Sequence, residues 1–239
     1  MKNVFFIALA ASFIMASCDI TGERIKGNGN IKTESRQLGQ FNSIDASGIA
    51  DVYVKQDSAF SVRVETDENL LPYILIENKN GMLYIHHKDH TNLKPTKSIK
   101  VYVSGPSFSR FEGSGACNYY TENQLTSTES FSFGLSGASD VKMELKAPRI
   151  EAGLSGAGTL TLKGETKDLR IQGSGSTDIK CFEMMAENTS VKMSGAGDAE
   201  VFASVKLDVQ VSGAADVKYK GNAAVSQHIS GAGSIQKVN

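Results

Sequence analysis

Four aspartates, Asp140, Asp178, Asp198 and Asp216, each stand four residues after the serine of a recurring Ser-Gly step. If the repeats stack, their carboxylates fall into one row, and carboxylates held close together can share the acid and base work of glycoside cleavage. The equivalent positions Thr159 and Ser234 are uncharged. Asp, Ser and Thr all bond nearby backbone in turns. A turn role therefore accounts for all six positions, and a catalytic role for only four. The Gly-Ala-Gly-Asp form at 195–198 is also similar to the turns of calcium-binding β-rolls, which repeat every nine residues. The period here is about twice as long, and several copies lack the Asp.

Other chemically capable residues do not assemble into a set. His86, His87 and His90 cluster with Asp89 at a strand end, but no further ligands stand at metal-binding spacing and His228 is remote. Gly27-Asn28-Gly29 lacks the preceding strand and following helix of a phosphate loop. No Gly-x-Ser-x-Gly elbow and no Cys-x-x-Cys occur. The reading is a protein with no catalytic residue, no metal and no cofactor. Tyr53, Tyr84, Tyr102, Tyr119 and Tyr120 are candidates for ligand contact. Strand packing accounts for any one of them, so no binding site is assigned.

The element that would position such groups repeats along the chain. Ser-Gly steps begin at Ser114, Ser136, Ser155, Ser174, Ser194, Ser212 and Ser230, spaced by 22, 19, 19, 20, 18 and 18 residues. An earlier copy, Ser47-Gly48, stands apart. The fifth, third and first residues before each step are mostly apolar: Phe131, Phe133 and Leu135; Ile150, Ala152 and Leu154; Leu207, Val209 and Val211. That period of two marks a half-buried strand. A second alternating strand follows each step, as at Val141 and Met143 or Leu160 and Leu162. Each unit reads as strand, Ser-Gly turn, strand and loop. Stacked units would form a parallel β-helix or solenoid of about 19-residue repeats. A meander of hairpins closing into a prism would use the same alternation, but repeats of one orientation and similar length favour the solenoid.

The part from 31 to 105 is β-rich on a different rhythm, with strands at 52–54, 61–65, 73–76, 83–86 and 99–103. Asn80-Gly81 signals a hairpin turn, and Asp67 to Leu71 a helical turn stopped by Pro72.

The amino-terminal end sets the compartment. Lys2 precedes an apolar run from Val4 to Met15 that is too short to span a bilayer and fits a signal peptide. Met15-Ala16-Ser17-Cys18 is similar to a bacterial lipobox, which implies cleavage before Cys18 and lipid attachment to its thiol. Several acyl chains give stable anchoring. The expected organisation is a signal peptide at 1–17, a lipidated tether at 18–30 and one domain at 31–239, with its repeats from 106 on. The expected location is the cell envelope outside the cytoplasm, on the outer membrane, at either its periplasmic or its surface face. The whole chain holds 25 basic and 26 acidic residues, and removing Lys2 with the signal leaves 24 against 26. So even a balance argues against a nucleic-acid partner. Cys117 and Cys181 permit one disulfide but lack framework spacing; buried free thiols are the simpler reading.

Arg36 to Ile44, followed by Ser47-Gly48-Ile49-Ala50-Asp51-Val52-Tyr53-Val54, resembles the opening of the head GIN domain family of auto-transporter adhesins. Thr66-Asp67-Glu68-Asn69-Leu70, Gly81 to Ile85 and Ser194 to Asp198 match its pattern as well, so the resemblance runs from about residue 31 to the end. It implies a β-helical fold in a Bacteroides-type lipoprotein, and it supplies no catalytic residues. The expected function is a non-catalytic adhesin or surface-scaffolding module. Its partners would be the membrane, through the lipid, and a glycan or surface protein. The alternative is a glycan-active β-helix enzyme.

Overall fold

The computed structural model describes residues 22–239. Its chain is almost entirely strand. The first part holds β1 (Glu23–Lys26), β2 (Ile31–Arg36), β3 (Ser43–Gln56), β4 (Ser61–Asp67), a 3-10 helix (Glu68–Tyr73), β5 (Ile74–Lys79), β6 (Met82–His87), β7 (Thr91–Lys94) and β8 (Lys100–Gly105). The repeats follow as β9 (Arg110–Thr121), β10 (Leu125–Thr126), β11 (Ser130–Gly137), β12 (Val141–Cys181) and β13 (Met184–Phe202). The chain closes with β14 (Lys206–Lys220), β15 (Ala224–Gly231) and β16 (Ser234–Lys237). One large mixed sheet runs β15-β14-β13-β12-β11-β9-β3-β8-β4-β2, and β1 and β7 form a separate parallel pair.

Within the repeats the pairing is parallel and in register. Ser136 lies beside Ser155, Ser194 beside Ser174 and Ser212, and Ser230 beside Ser212. The inward positions read from the alternation are buried in the five copies before Ser136, Ser155, Ser174, Ser194 and Ser212, with Phe131, Ile150, Leu169 and Leu207 all fully covered, and open to solvent at Val225 in the last copy. Thr189 is the polar member of that ladder, and its hydroxyl donates to the carbonyl of Phe202 at 2.7 Å. A buried hydroxyl with such a partner costs little.

The glycine of each step has a second duty beyond the turn. Gly156 and Gly175 have φ of 115° and 95°, a region that favours glycine. A Cβ on Gly175 would also strike the carbonyl oxygen of Gly156, and the same relation links Gly48, Gly115, Gly137, Gly156, Gly175, Gly195, Gly213 and Gly231 in one line. Strands run on through most of these corners and end at Gly137 and Gly231, so β12 carries two repeats without a break.

The isolated copy at Ser47 takes a place the chain order conceals. Ser47 pairs with Ser114 and Gly48 with Gly115, so β3 is the rung next to β9. The residues between them fold back on the far side of β3, where β6 covers its first half and β8 its second. One continuous apolar cluster runs across residue 105.

Two expectations need correction. Pro72 lies inside the helix and does not stop it before its end, because a φ locked near −65° suits the 3-10 form. From Glu23 on, the stretch expected as a tether is docked on the domain. β1 pairs with β7, and the carboxylate of the fully buried Asp67 accepts from the amides of Gly29 and Thr96 and from the Thr96 hydroxyl. Asn69 adds an acceptor for the amide of Asn28 and a donor to the carbonyl of Lys26. The signal segment and Cys18 lie outside the described residues.

Candidate functional site: an outer face built around Tyr53

The acidic row exists, and three of its four aspartates each use one oxygen on the next repeat. Asp140 Oδ1 accepts the amide of Thr159 at 2.9 Å, and Asp178 Oδ1 that of Asp198 at 3.3 Å. Asp216 Oδ1 accepts both the amide and the hydroxyl of Ser234. Asp140, Asp178 and Asp216 thus tie their own repeats to the following ones. Among the described residues, no three His, Cys, Asp or Glu side chains converge as a metal site requires. His86 faces Glu77 at 4.0 Å, while His87 is turned to Thr91 and packs over Gly48.

Cys117 and Cys181 are free and buried. Burial pushes their thiols up to about 11 and about 12, respectively. Both behave as small apolar fillers.

The tyrosines separate into three fates. Tyr119 is fully buried and its hydroxyl donates to the carbonyl of Glu112. Tyr84 is half-buried, with the Lys79 ammonium 5.7 Å from its ring centre. Tyr102, Tyr53 and Tyr120 come together on the outward face of β8, β3 and β9. Their ring centres are 5.1 Å apart at each step, with neighbouring planes 22° and 25° from parallel. Register produces the row, since Tyr53 pairs with Tyr102 on one side and Tyr120 on the other. The Arg63 guanidinium lies 4.9 Å from the Tyr102 ring centre and closes that end. Burial, followed by the charge of Asp51, lifts the Tyr53 and Tyr120 phenols, so both remain protonated donors at neutral pH.

Two residues before Tyr53 and Tyr120, and so on the same face, stand Asp51 and Asn118. The Asn118 amide donates to Asp51 Oδ1 at 2.8 Å, and its oxygen accepts the amide of Asp140 at 3.0 Å. The pair lines a cleft of about 350 Å³ together with Ile49, Pro95, Lys97 and Ser98. Ile49 is 39% exposed, one of few large apolar side chains left uncovered. A second, shallower groove of about 520 Å³ crosses the repeats over Ala147, Pro148, Met185, Ala186 and Phe202.

Sequence reasoning treated the tyrosines one by one and assigned no site. A signal was present for two of them: Tyr53 and Tyr120 each stand six residues after the serine of a Ser-Gly step. Nothing comparable marks Tyr102, which stands two residues before the Ser104-Gly105 pair of β8 and not six after a step.

No curated protein sequence matches the chain. Solved structures do. A putative adhesin from Bacteroides fragilis NCTC 9343 aligns with a TM-score of 0.85 at 22% identity, covering 90% of this chain and 100% of that one. A putative adhesin from Parabacteroides distasonis ATCC 8503 aligns at 0.71 and 29% identity, over 90% and 100%. A putative lipid binding protein from the same organism aligns at 0.69 and 24%, over 91% and 100%. The family model described as "Putative auto-transporter adhesin, head GIN domain" matches residues 40–223, and the chain belongs to that family.

Proposed function

We propose that this protein is a non-catalytic binding module of the cell envelope, adhesin-like, held to the outer membrane by lipid on Cys18. Its in-register repeats wind as a parallel β-solenoid that carries a binding face outward. The observation that carries the reading is the use of the acidic row: Asp140, Asp178 and Asp216 each spend an oxygen on the backbone of the next repeat, whereas the face around Tyr53 leaves polar groups open. The lipobox at Met15–Cys18 supports the anchor, and no helix among the described residues is long and apolar enough to cross a membrane. The solved relatives described as adhesins support the function class.

The test is protease accessibility on intact cells, alongside fractionation of a Cys18→Ser variant. Digestion on intact cells, with release of the variant from the membrane, is expected. Protection until lysis would place the domain in the periplasm and overturn adhesion. Cleavage of a polysaccharide by the purified protein would favour the enzyme alternative.

A further inference from the structure

We infer that the face around Tyr53 is a glycan site, taking an extended neutral oligosaccharide that lies along the tyrosine row with one end in the cleft beside Asp51. The inference rests on the binding-module reading and gives it a place and a ligand class. A sugar ring presents C–H groups on its faces and hydroxyls around its rim. It is held best where aromatic surface adjoins a mixture of donors and acceptors.

Both parts are present here. The three tyrosines stack on one another at 5.1 Å, a step comparable with the length of one pyranose, so the row turns ring edges and phenol hydroxyls outward and successive sugars meet successive hydroxyls. Among the described residues, their three phenol hydroxyls have no side-chain or backbone partner, and Tyr53 and Tyr120 stay protonated. Asp51 and Asn118 are held to each other by one bond, which leaves Asp51 Oδ2 as an acceptor and the second Asn118 amide proton as a donor. Such a pair suits two neighbouring sugar hydroxyls. The cleft they line, about 350 Å³, is at the small end of the ligand-pocket range, and Ile49 supplies an apolar patch there.

Charge selects a neutral sugar. Lys100 and Lys55, beside the row, are already paired with Glu65 at 3.2 Å and Asp57 at 2.8 Å. The remaining charges of the face, Arg63, Lys97 and Lys142 against Asp51 and Asp140, come close to balance. Asp51 would repel a sulfate or uronate at the cleft. The platform is also rigid, since β3 is paired on both sides, and little ordering cost attends binding.

Residues 22–239 hold the whole described core and serve as the test protein. Cellotetraose, laminaritetraose, chitotetraose, mannotetraose and a heparin tetrasaccharide would be titrated by calorimetry, after a glycan array carrying neutral and charged chains. Binding of a neutral oligosaccharide is expected. Tyr53→Ala, Tyr120→Ala and Asn118→Ala should each weaken it about tenfold or more, with Tyr84→Ala unchanged. Tyr53→Phe keeps the stack and removes one hydroxyl, so a several-fold loss there supports the site even if an alanine variant unfolds. Binding that persists in all these variants overturns the site and leaves the binding-module reading standing. Preference for heparin, or capture of a polypeptide by this face with no glycan bound, overturns the ligand class. Failure of every glycan on the array does the same, while protease accessibility on cells judges adhesion separately.

Discussion

Oδ1 of Asp140 accepts the amide of Thr159 at 2.9 Å, so an exposed side chain in one repeat supplies the hydrogen bond that the backbone of the next repeat needs at its corner. The same service by Asp178 and Asp216 makes the acidic row a set of ties between repeats.

Substitution separates a tie from a catalyst. Asp140→Ala and Asp216→Ala should each cost about 0.5–1.5 kcal/mol of unfolding free energy, the worth of one hydrogen bond. Asp140→Asn and Asp216→Asn keep the accepting oxygen and should be near neutral. Urea denaturation measures both. A large loss in the asparagine variants would mean that charge, not the oxygen, matters.

Gly175→Ala and Gly29→Ala start from similar backbone, with φ of 95° and 81°. A Cβ on Gly29 meets nothing within 4 Å, whereas one on Gly175 meets the Gly156 carbonyl. Gly29→Ala should cost roughly 1–2 kcal/mol from the left-handed conformation alone. Gly175→Ala should exceed that by several kcal/mol or fail to fold, because backbone must move. Equal losses in thermal melts would remove the close approach from the account.

Asp67 makes stability depend on acid. Burial raises its pKa, but the amide and hydroxyl of Thr96 and the amide of Gly29 outweigh that and hold it below the usual carboxylate range. Its contribution is therefore complete above the ordinary aspartate pKa and is lost as pH falls through the lower folded value. Asp67→Asn should lose roughly 2–3 kcal/mol at neutral pH and flatten the acid limb of a stability–pH curve. An acid limb identical to that of the unaltered protein would rule out this role.

Cys117 and Cys181, with thiols near 11 and 12, should resist a thiol reagent at pH 8 and react together when the chain unfolds. Rapid labelling of either in the folded protein would show that its strand opens locally.

The repeat part was legible because each rung states its own orientation. The fifth, third and first residues before a Ser-Gly step are buried in the five copies from Phe131 to Val211, with Phe131, Ile150, Leu169 and Leu207 fully covered. Asn80-Gly81 was legible for a similar local reason, and both residues have positive φ at the β5–β6 turn. Alternation tells which face a residue takes but not which strand lies beside it. The place of β3 next to β9, across the intervening residues, was therefore hidden, and with it the arrival of Tyr102 beside Tyr53. The docking of Glu23 to Asn30 was hidden too, because it depends on Asp67 and Asn69 reaching back to backbone in a glycine-rich stretch.

That docked stretch has a mechanical meaning. A pull entering through the residues before Gly22 reaches the sheet only after it has passed β1 and the clasp of Asp67 and Asn69 on residues 26–30. Four paired residues and a few side-chain bonds are weaker than the ladders behind them, so this segment peels first and the repeats keep their register. Freeing residues 23–30 would release at most roughly 25–30 Å of chain at the reach of extended backbone. The domain thus carries a shock absorber at the end from which it would hang, and a tug on the bound face would be met by slack before any repeat unravels.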